Sequence, residues 1–563
     1  MKALWAVGAA LLLAAAYLLN LGSFYAPTNG DEMVYLHIAR LTNESGHWLP
    51  LVSDLQTPAG AEMRNTKPPL LFWQVMAAGR WSWDLFTLRL PYVLETLLTA
   101  GLVGWLAGYL MRVRSAFNWL AAALYLGFFV TYRYGRPVLS SSIESLFLFG
   151  ACALVIARQS SWKAYPIRLA AVLGLLITPA LLSKSFVLAA PVGLWLFLSL
   201  WITQKEDDSF PFGLSLPAAL LPAAVAVVIG LAGFALWLAV DPDPAAVWRE
   251  FIVGENFSSK FEGARSDSIL IFWLSLLVNA GLLFPLVMGL LIAALQAMRD
   301  KASQISASEK MLWLWLLCWM LVFTLPSQRS GRYIIPAMPA VAVLLAMYAG
   351  RIHRVWWVVT LWLIAFATAA LGWAAHSLDS VFPVGLGYSP LYFVAVGVLL
   401  LSCGIGLLSA RFRVMLTAAS AVAWLALLGA LAVPFDRDLG RFDARVTHVV
   451  AGQKMMVPQN FNAQFERFQF ALPTVPCVQP VPYAVSEGIA ATSLLQQAPF
   501  AVIIRPLGIP KPAENARSYS IIATRLVLRG RQSPGEVTWG SITDAKALAH
   551  LLVEREVLIG TKN

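Results

Sequence analysis

Charge is what this 563-residue chain has least of. Asp, Glu, Lys and Arg make up 13% of it, against roughly 25% in an average soluble domain. A string of soluble domains is therefore excluded, and so are a disordered chain, a fibrous repeat and a coiled coil. The formal net charge of +11 arises from 41 basic and 30 acidic residues, yet no segment gathers the basic residues into a run. That excludes nucleic acid as the natural partner. Cysteine is scarce too: four residues are too few for a disulfide framework. Cys152, Cys318 and Cys403 fall inside apolar stretches, and Cys477 stands alone in the one polar region. What remains is apolar, with 59% hydrophobic residues and 22 Trp within an aromatic content of 12%. Such rings collect where a chain repeatedly crosses a membrane–water interface, so the sequence is that of an integral membrane protein.

The stretch from Ala3 to Leu21 nearly reaches the length a helix needs to cross ~30 Å of hydrocarbon. It follows a single Lys2, and no convincing small-residue cleavage site follows it, so it is read as an uncleaved first span rather than a signal peptide. Further stretches of spanning length occupy 86–111, 115–134, 137–157, 166–183, 186–203, 213–240, 268–297, 308–326, 333–349, 354–375, 389–409 and 413–434, giving thirteen. Basic residues in alternate loops (Lys2; Arg112 and Arg114; Arg158, Lys163 and Arg168; Lys205; Arg299, Lys301 and Lys310; Arg351 and Arg354; Arg411 and Arg413) mark one side as cytoplasmic. An odd count then sends the C-terminus to the other side. The expected fold class is an all-α polytopic membrane protein of about 13 transmembrane helices with a small C-terminal extracytoplasmic α/β domain. Residues 1–434 form the membrane domain, with outer loops 25–84 and 240–267, and residues 435–563 form the soluble domain. The runs Phe500–Ile504 and Ile521–Val527 supply its strands, and Asp544–Glu556 reads as a helix.

Outer loops should be poor in Lys and Arg, but this outer side carries Arg64, Lys67, Arg133, Arg136, Lys184, Arg249, Lys260, Arg265, Arg329 and Arg332. Lys184 lies in Leu181-Leu182-Ser183-Lys184-Ser185-Phe186, a hinge between two spans with almost no loop. A cation there either snorkels to headgroups or meets an anion. Arg329 and Arg332 admit the same two readings, and convergence of several such cations favours a phosphate ligand. Acids appear in Asp31-Glu32-Met33-Val34-Tyr35, where a helix start with Asp31 as cap competes with a functional pair. The apolar spacing from Met33 onward suggests a helix lying on the membrane surface. Lys67 precedes Pro68 and Pro69, which limit where its ammonium can point. His37 and His47 share this loop without a second ligand at metal spacing.

In order along the chain, these residues resemble the aminoarabinose transferase and protein O-mannosyltransferase group of GT-C membrane glycosyltransferases. The resemblance rests on Asp31-Glu32-x-x-Tyr35, on Lys67-Pro68-Pro69-Leu70 with Trp73, on Ser183-Lys184, and on Trp248-x-x-Phe251-x-x-x-Glu255-Asn256 with Lys260-Phe261. It continues through Phe323 to Pro336, with Arg329 and Tyr333, and through Asn460-Phe461 and Phe468-Gln469-Phe470. It implies a GT-C enzyme of a bacterial inner membrane, with its N-terminus cytoplasmic and its C-terminus periplasmic. Such an enzyme moves a sugar from a polyprenyl-phosphate donor, undecaprenyl phosphate, to an envelope acceptor such as lipid A or another glycan.

The implied roles are Asp31, with Glu32 next in line, for acceptor chemistry, and Lys67, Lys184, Lys260, Arg329, Arg332 and Tyr333 for the donor phosphate. Tyr35, Glu255 and Asn256 serve the acceptor or the structure. Thr66 and Asn256 stand where the aminoarabinose transferases commonly carry Glu and His that can share a metal, and Ser140-Ser141-Ser142 replaces a common Asp. No cofactor is therefore expected, although Asp31, Glu32 and Glu255 are oxygen donors of the kind that hold a hard divalent cation. Alternative readings are a protein O-glycosyltransferase, and a lipid or glycan transporter or non-catalytic assembly factor. Transporters usually place ionisable groups at the midplane within repeated halves, which this chain lacks. On the thirteen-span topology, a reporter fused after Asn563 that works only outside the cytoplasm is active, and one that works only in the cytoplasm is silent.

Overall fold

The computed structural model describes residues 2–25, 30–55, 64–113, 117–159, 162, 165–202, 214–262, 268–299, 305–459, 463–472, 479–485, 488–507, 518–529 and 535–562. Arg114, Lys163, Lys205, Arg265, Lys301, Asn460, Phe461 and Cys477 lie outside these, as does the Lys260 side chain. Helix α1 (Lys2–Leu18) is followed by α2 (Gly30–Glu44), α3 (Leu70–Gly79) and α4 (Leu85–Leu110). Helices occupy the other expected span positions as well. Among the described residues seven helical stretches are long and apolar enough to cross a membrane: 85–110, 166–183, 216–240, 269–299 counted through its break at Gly281, 354–379, 390–408 and 410–430. The chain is a multi-pass membrane protein, mostly helical, with a small C-terminal sheet.

Two expected spans are not continuous. The one at 115–134 divides into α5 (Trp119–Gly127) and α6 (Phe129–Gly135), because Phe128 is extended. The one at 268–297 breaks at Gly281, whose φ of 60° suits a residue without Cβ. The breaks meet: a Cβ on Gly281 would lie 2.5 Å from that of Phe129, so glycine is required both by conformation and by close approach. Helix α7 (Ser141–Ala157) follows. Around these helices a core of large rings is buried, Trp195 edge-on to Trp315 at 4.9 Å and Trp319 beside it. Trp195 and Trp315 donate their indole N–H to backbone carbonyls of Met311 and Pro336, which satisfies their polar atoms in an apolar interior.

The C-terminal sheet has strands β1 (Lys454–Gln459), β2 (Gln479–Ala484), β3 (Phe500–Pro506), β4 (Ser520–Leu528) and β5 (Val553–Gly560), in the order β2-β1-β3-β5-β4. β1 runs parallel to β2 and β3, while β5 is antiparallel to β3 and β4. The helix expected over Asp544–Glu556 ends at Leu552. From Val553 the chain is a strand, since Val553, Val557, Leu558 and Ile559 are buried between two neighbouring strands, and such apolar runs favour a central strand over a helix. One sheet face presents Met455, Val457, Val502 and Leu558 to Met33, Leu36 and Ile38 of α2 and Leu71 and Phe72 of α3. The apolar stripe of α2, expected against lipid, therefore faces protein. The other face packs Ile503, Val557 and Ile559 under Leu494.

Polar bonds fix this docking. His37 of α2 is 2.7 Å from Glu466 and 2.6 Å from Asp54, one partner on each ring nitrogen, and Arg40 bonds Glu466 through Nε at 2.6 Å. Burial alone would depress His37, but the hydrogen bonds to Asp54 and Glu466 outweigh it and push it up to about 9; His37 lowers Asp54 in return. Protonated His37 thus binds the sheet segment to α2. Because its folded pKa lies above the unfolded ~6.5, this stabilisation is complete below about pH 6.5 and is lost as pH rises through about 9. It amounts to roughly 3 kcal/mol. Hydrogen exchange of β1–β5 amides, corrected for intrinsic rate, should accelerate between pH 7 and pH 10 in the wild type and much less so in His37→Gln.

Candidate functional site

Asp31 and Glu32 open α2, and successive helical residues point about 100° apart, so the two carboxylates face different surroundings. Glu32 is fully buried and accepts from Arg89 Nε at 2.7 Å and Nη2 at 2.8 Å, and from the Val138 amide at 2.9 Å. Arg89 also donates to the carbonyls of Leu21 and Ser23, each at 2.6 Å. Glu32 is therefore a structural anchor turned away from any reactant. Asp31 faces a cavity of ≈ 890 Å³, where Arg332 Nη1 lies 2.5 Å from its carboxylate. Tyr35, one turn on, lines the same cavity and packs edge-on to Phe72. Burial first, then Asp31, raises its hydroxyl far above the ordinary tyrosine range, so it is a donor.

Lys67 reaches the cavity from the loop ahead of α3, its amide held by Asn65 Oδ1 at 3.0 Å and Asn65 paired in turn with Leu51. Its ammonium meets Glu255 at 2.7 and 2.8 Å, from the helical segment Val247–Glu262. Lys184 lies at the end of the helix Pro166–Ser183, where Ser185 caps the next turn through the Val187 amide. Its Nζ is 3.0 and 3.3 Å from the Glu144 oxygens and 5.6 Å from the centre of the Tyr333 ring. Glu144 is buried in the first turn of α7 and also accepts from Ser140 Oγ at 2.6 Å.

The structure thus brings Asp31, Tyr35, Lys67, Lys184, Glu255, Asn256, Arg332 and Tyr333 to one cavity. It leaves out Glu32, and also Arg329, whose Nε donates to the Thr324 carbonyl at 2.9 Å. Asn256 accepts from Ser185 Oγ at 2.7 Å and donates to the Phe251 carbonyl at 2.8 Å, which commits its amide to holding the hinge. Glu144 escaped the sequence reading because it sits inside the apolar stretch 137–157. Its signal was that one acid following Ser140-Ser141-Ser142. Among the described residues no group of three or more His, Cys, Asp or Glu could hold a metal ion.

Magnitudes separate the pairs. Arg89–Glu32 is 1% and 0% exposed, and breaking so buried a pair costs about 3–5 kcal/mol. Lys67–Glu255 is 30% and 44% exposed, where an ion pair contributes only about 0–1 kcal/mol. Lys67 can therefore exchange its carboxylate for an incoming anion, whereas Lys184 is paired with Glu144, which is 1% exposed. The same cavity has an apolar lining of Phe186, Leu188, Val227, Leu231 and Phe323, a surface suited to a lipid tail.

No protein-family model matches the sequence. The chain is 29% identical over 332 residues to undecaprenyl phosphate-alpha-4-amino-4-deoxy-L-arabinose arabinosyl transferase of Erwinia tasmaniensis, covering 57% of this chain and 55% of that protein. It is 28% identical over 361 residues to the protein of the same name from Yersinia pestis, covering 62% and 60%. The chain thus matches a little over half the length of these curated relatives. The crystal structure of ArnT from Cupriavidus metallidurans bound to undecaprenyl phosphate superposes with a TM-score of 0.61 at 17% identity, over 99% of this chain and 97% of that one. The apo form superposes at 0.59. The chain has the ArnT-like GT-C fold.

In this ArnT-like frame the two kinds of pair respond differently to substitution. Glu32→Gln should lower the thermal stability of the detergent-purified protein by roughly 3–5 kcal/mol, whereas Glu255→Gln should change it by less than about 1 kcal/mol. Thermal unfolding of both variants beside the wild type checks the division.

Proposed function

We propose that the chain is a glycosyltransferase that moves a sugar from a polyprenyl-phosphate donor to an acceptor in the bacterial envelope. The observation that carries this is the cavity, where the cations Lys67 and Lys184 share one lining with apolar side chains. A lipid-linked phosphate needs both. The names of the curated relatives and the ArnT-like fold point the same way.

In this reading the donor phosphate takes over hydrogen bonds that Glu255 and Glu144 now accept from Lys67 and Lys184, with Tyr333 beside Lys184 and Lys260 a further candidate from the same loop as Glu255. The acceptor oxygen attacks the anomeric carbon and the bond from that carbon to the phosphate oxygen breaks. Polyprenyl phosphate leaves with one more negative charge than it carried as a diester. Fixed cations stabilise that charge more in the transition state than before it, which is the condition for catalysis. A hydroxyl acceptor gives its proton to Asp31; a phosphate acceptor has none to give, and Asp31 with Arg332 then orients it. Arg332 is thus reassigned from the donor phosphate toward Asp31, while Arg329 supports the Thr324 turn. Asn256, which closes the hinge against Ser185, is read as structural, and no metal is assigned a role.

The finer topology belongs to the same reading. Thirteen spans place the chain in the inner membrane with its N-terminus cytoplasmic, and they leave loops 25–84 and 240–267 and the domain 435–563 in the periplasm. The acceptor is an envelope glycolipid, lipid A among them, that approaches from the periplasmic side.

Lys184→Ala should weaken donor binding and turnover by an amount corresponding to about 1.5–3 kcal/mol. Asp31→Asn should bind donor normally and lose turnover by roughly 10²-fold or more with a hydroxyl acceptor. Release of polyprenyl phosphate from a polyprenyl-phosphate sugar, followed with purified variants, checks both; wild-type rates in both would remove the assignment.

A further inference from the structure

The two faces of β5 treat their arginines differently. On one face Glu556 is fully buried and accepts from Arg525 Nε at 2.7 Å and from Arg467. Burial alone would raise Glu556, but the two guanidiniums outweigh it and hold the carboxyl below its ordinary range. Arg525 and Arg467 are therefore compensated in charge, although Arg467 Nε is itself shielded without a hydrogen-bond partner among the described residues. On the other face Arg555 stands directly opposite Arg505 of β3 in the antiparallel register. Opposed residues of such a pair point to the same side, with Cβ atoms about 5 Å apart. Both arginines are half-buried. Arg505 Nε and Arg555 Nη1 are shielded from solvent, and neither has a hydrogen-bond partner among the described residues. Among the described residues no acid is bonded to either arginine as Glu556 is bonded on the other face.

Like charges directly opposite one another destabilise a sheet, and a shielded guanidinium N–H without an acceptor costs more still. Nothing in the packing of β3 on β5 requires two arginines at this register, since Ile503 and Val557 already provide the apolar contact beside them. We propose that Arg505 and Arg555 form an anion site on the C-terminal sheet that takes a phosphate group. Two forked guanidiniums side by side match the oxygens of a phosphate monoester bidentately. Their combined charge of two suits a dianion better than a single carboxylate. The site is distinct from the cavity, which neither residue lines, and it does not rest on the transferase reading.

The test is thermal unfolding of the full-length protein in detergent at constant ionic strength, with inorganic phosphate or with chloride. Phosphate should raise the wild-type midpoint by a few degrees. Arg555→Gln should weaken the apparent phosphate affinity about tenfold or more, and adding Arg505→Gln and Arg555→Gln to Lys184→Ala, in which the cavity site is weakened, should abolish the shift that Lys184→Ala alone retains. In chloride the double variant Arg505→Gln, Arg555→Gln should be at least as stable as the wild type, because the repulsion is gone. The shift should persist in Lys184→Ala, which separates this site from the cavity. Glucose 1-phosphate in solution and phosphatidic acid in nanodiscs distinguish a soluble phosphate ester from a headgroup by which of them reproduces the shift. The proposal is overturned if none of these phosphates shifts the wild type, if the shift of Lys184→Ala is the same once Arg505→Gln and Arg555→Gln are added, or if the double variant is already less stable than the wild type in chloride.

Discussion

The buried pair between Arg89 and Glu32 is the interaction on which the helix ends around the cavity depend. Neither group is exposed, so neither can exchange its partner for water, and each also binds backbone: Glu32 the Val138 amide, Arg89 the carbonyls that end α1. One ion pair therefore fixes the exit of α1, the start of α2, the flank of α4 and the approach to α7. Desolvation makes the pair costly to assemble and still more costly to break. Such a pair specifies an arrangement more than it adds stability.

The same chemistry, placed where water can reach it, does something else. The pairs of Lys67 and Arg332 have comparable distances but far more exposure and a small net worth, while Lys184 is paired with a Glu144 that is itself buried. Exposure decides which ion pairs hold the fold and which await an anion. Each cation is kept in place by an element whose local geometry is already determined: the Asn65 turn for Lys67, the Ser185 hinge for Lys184, and the Gly331–Ala337 turn for Arg332. The charges are positioned before a ligand arrives, as electrostatic stabilisation requires.

Much of this was legible in the chain. Helix positions follow from apolar length alone, and Lys184 stood out because no loop surrounds it. The strands Phe500–Pro506 and Ser520–Leu528 followed from their apolar runs. What escaped was pairwise. Sequence gives Asp31 and Glu32 as neighbours of equal standing, and only the turn between them sends one to the cavity and the other to Arg89. Glu144 looked like an isolated acid in a span until Lys184, forty residues on, supplied its partner. The breaks at Phe128 and Gly281 depend on each other, so neither segment reveals its own. Val553–Gly560 read partly as helix because the preceding Ala545–Leu552 is one, and only burial between β3 and β4 settles it as a strand.

Helix α2 is held at two places, by Arg89 at Glu32 and by Glu466 at His37 and Arg40. At 1.5 Å per residue, Arg40 lies about 12 Å along the axis from Glu32, whereas Asp31 lies about 1.5 Å from it. The deeply buried clamp is thus a fulcrum immediately beside the cavity carboxylate. If the C-terminal sheet rocks, the long arm of α2 swings with it and the short arm moves about an eighth as far. Asp31 is thereby insulated from motions of the sheet, and its carboxylate stays in register with the cations that line the same cavity.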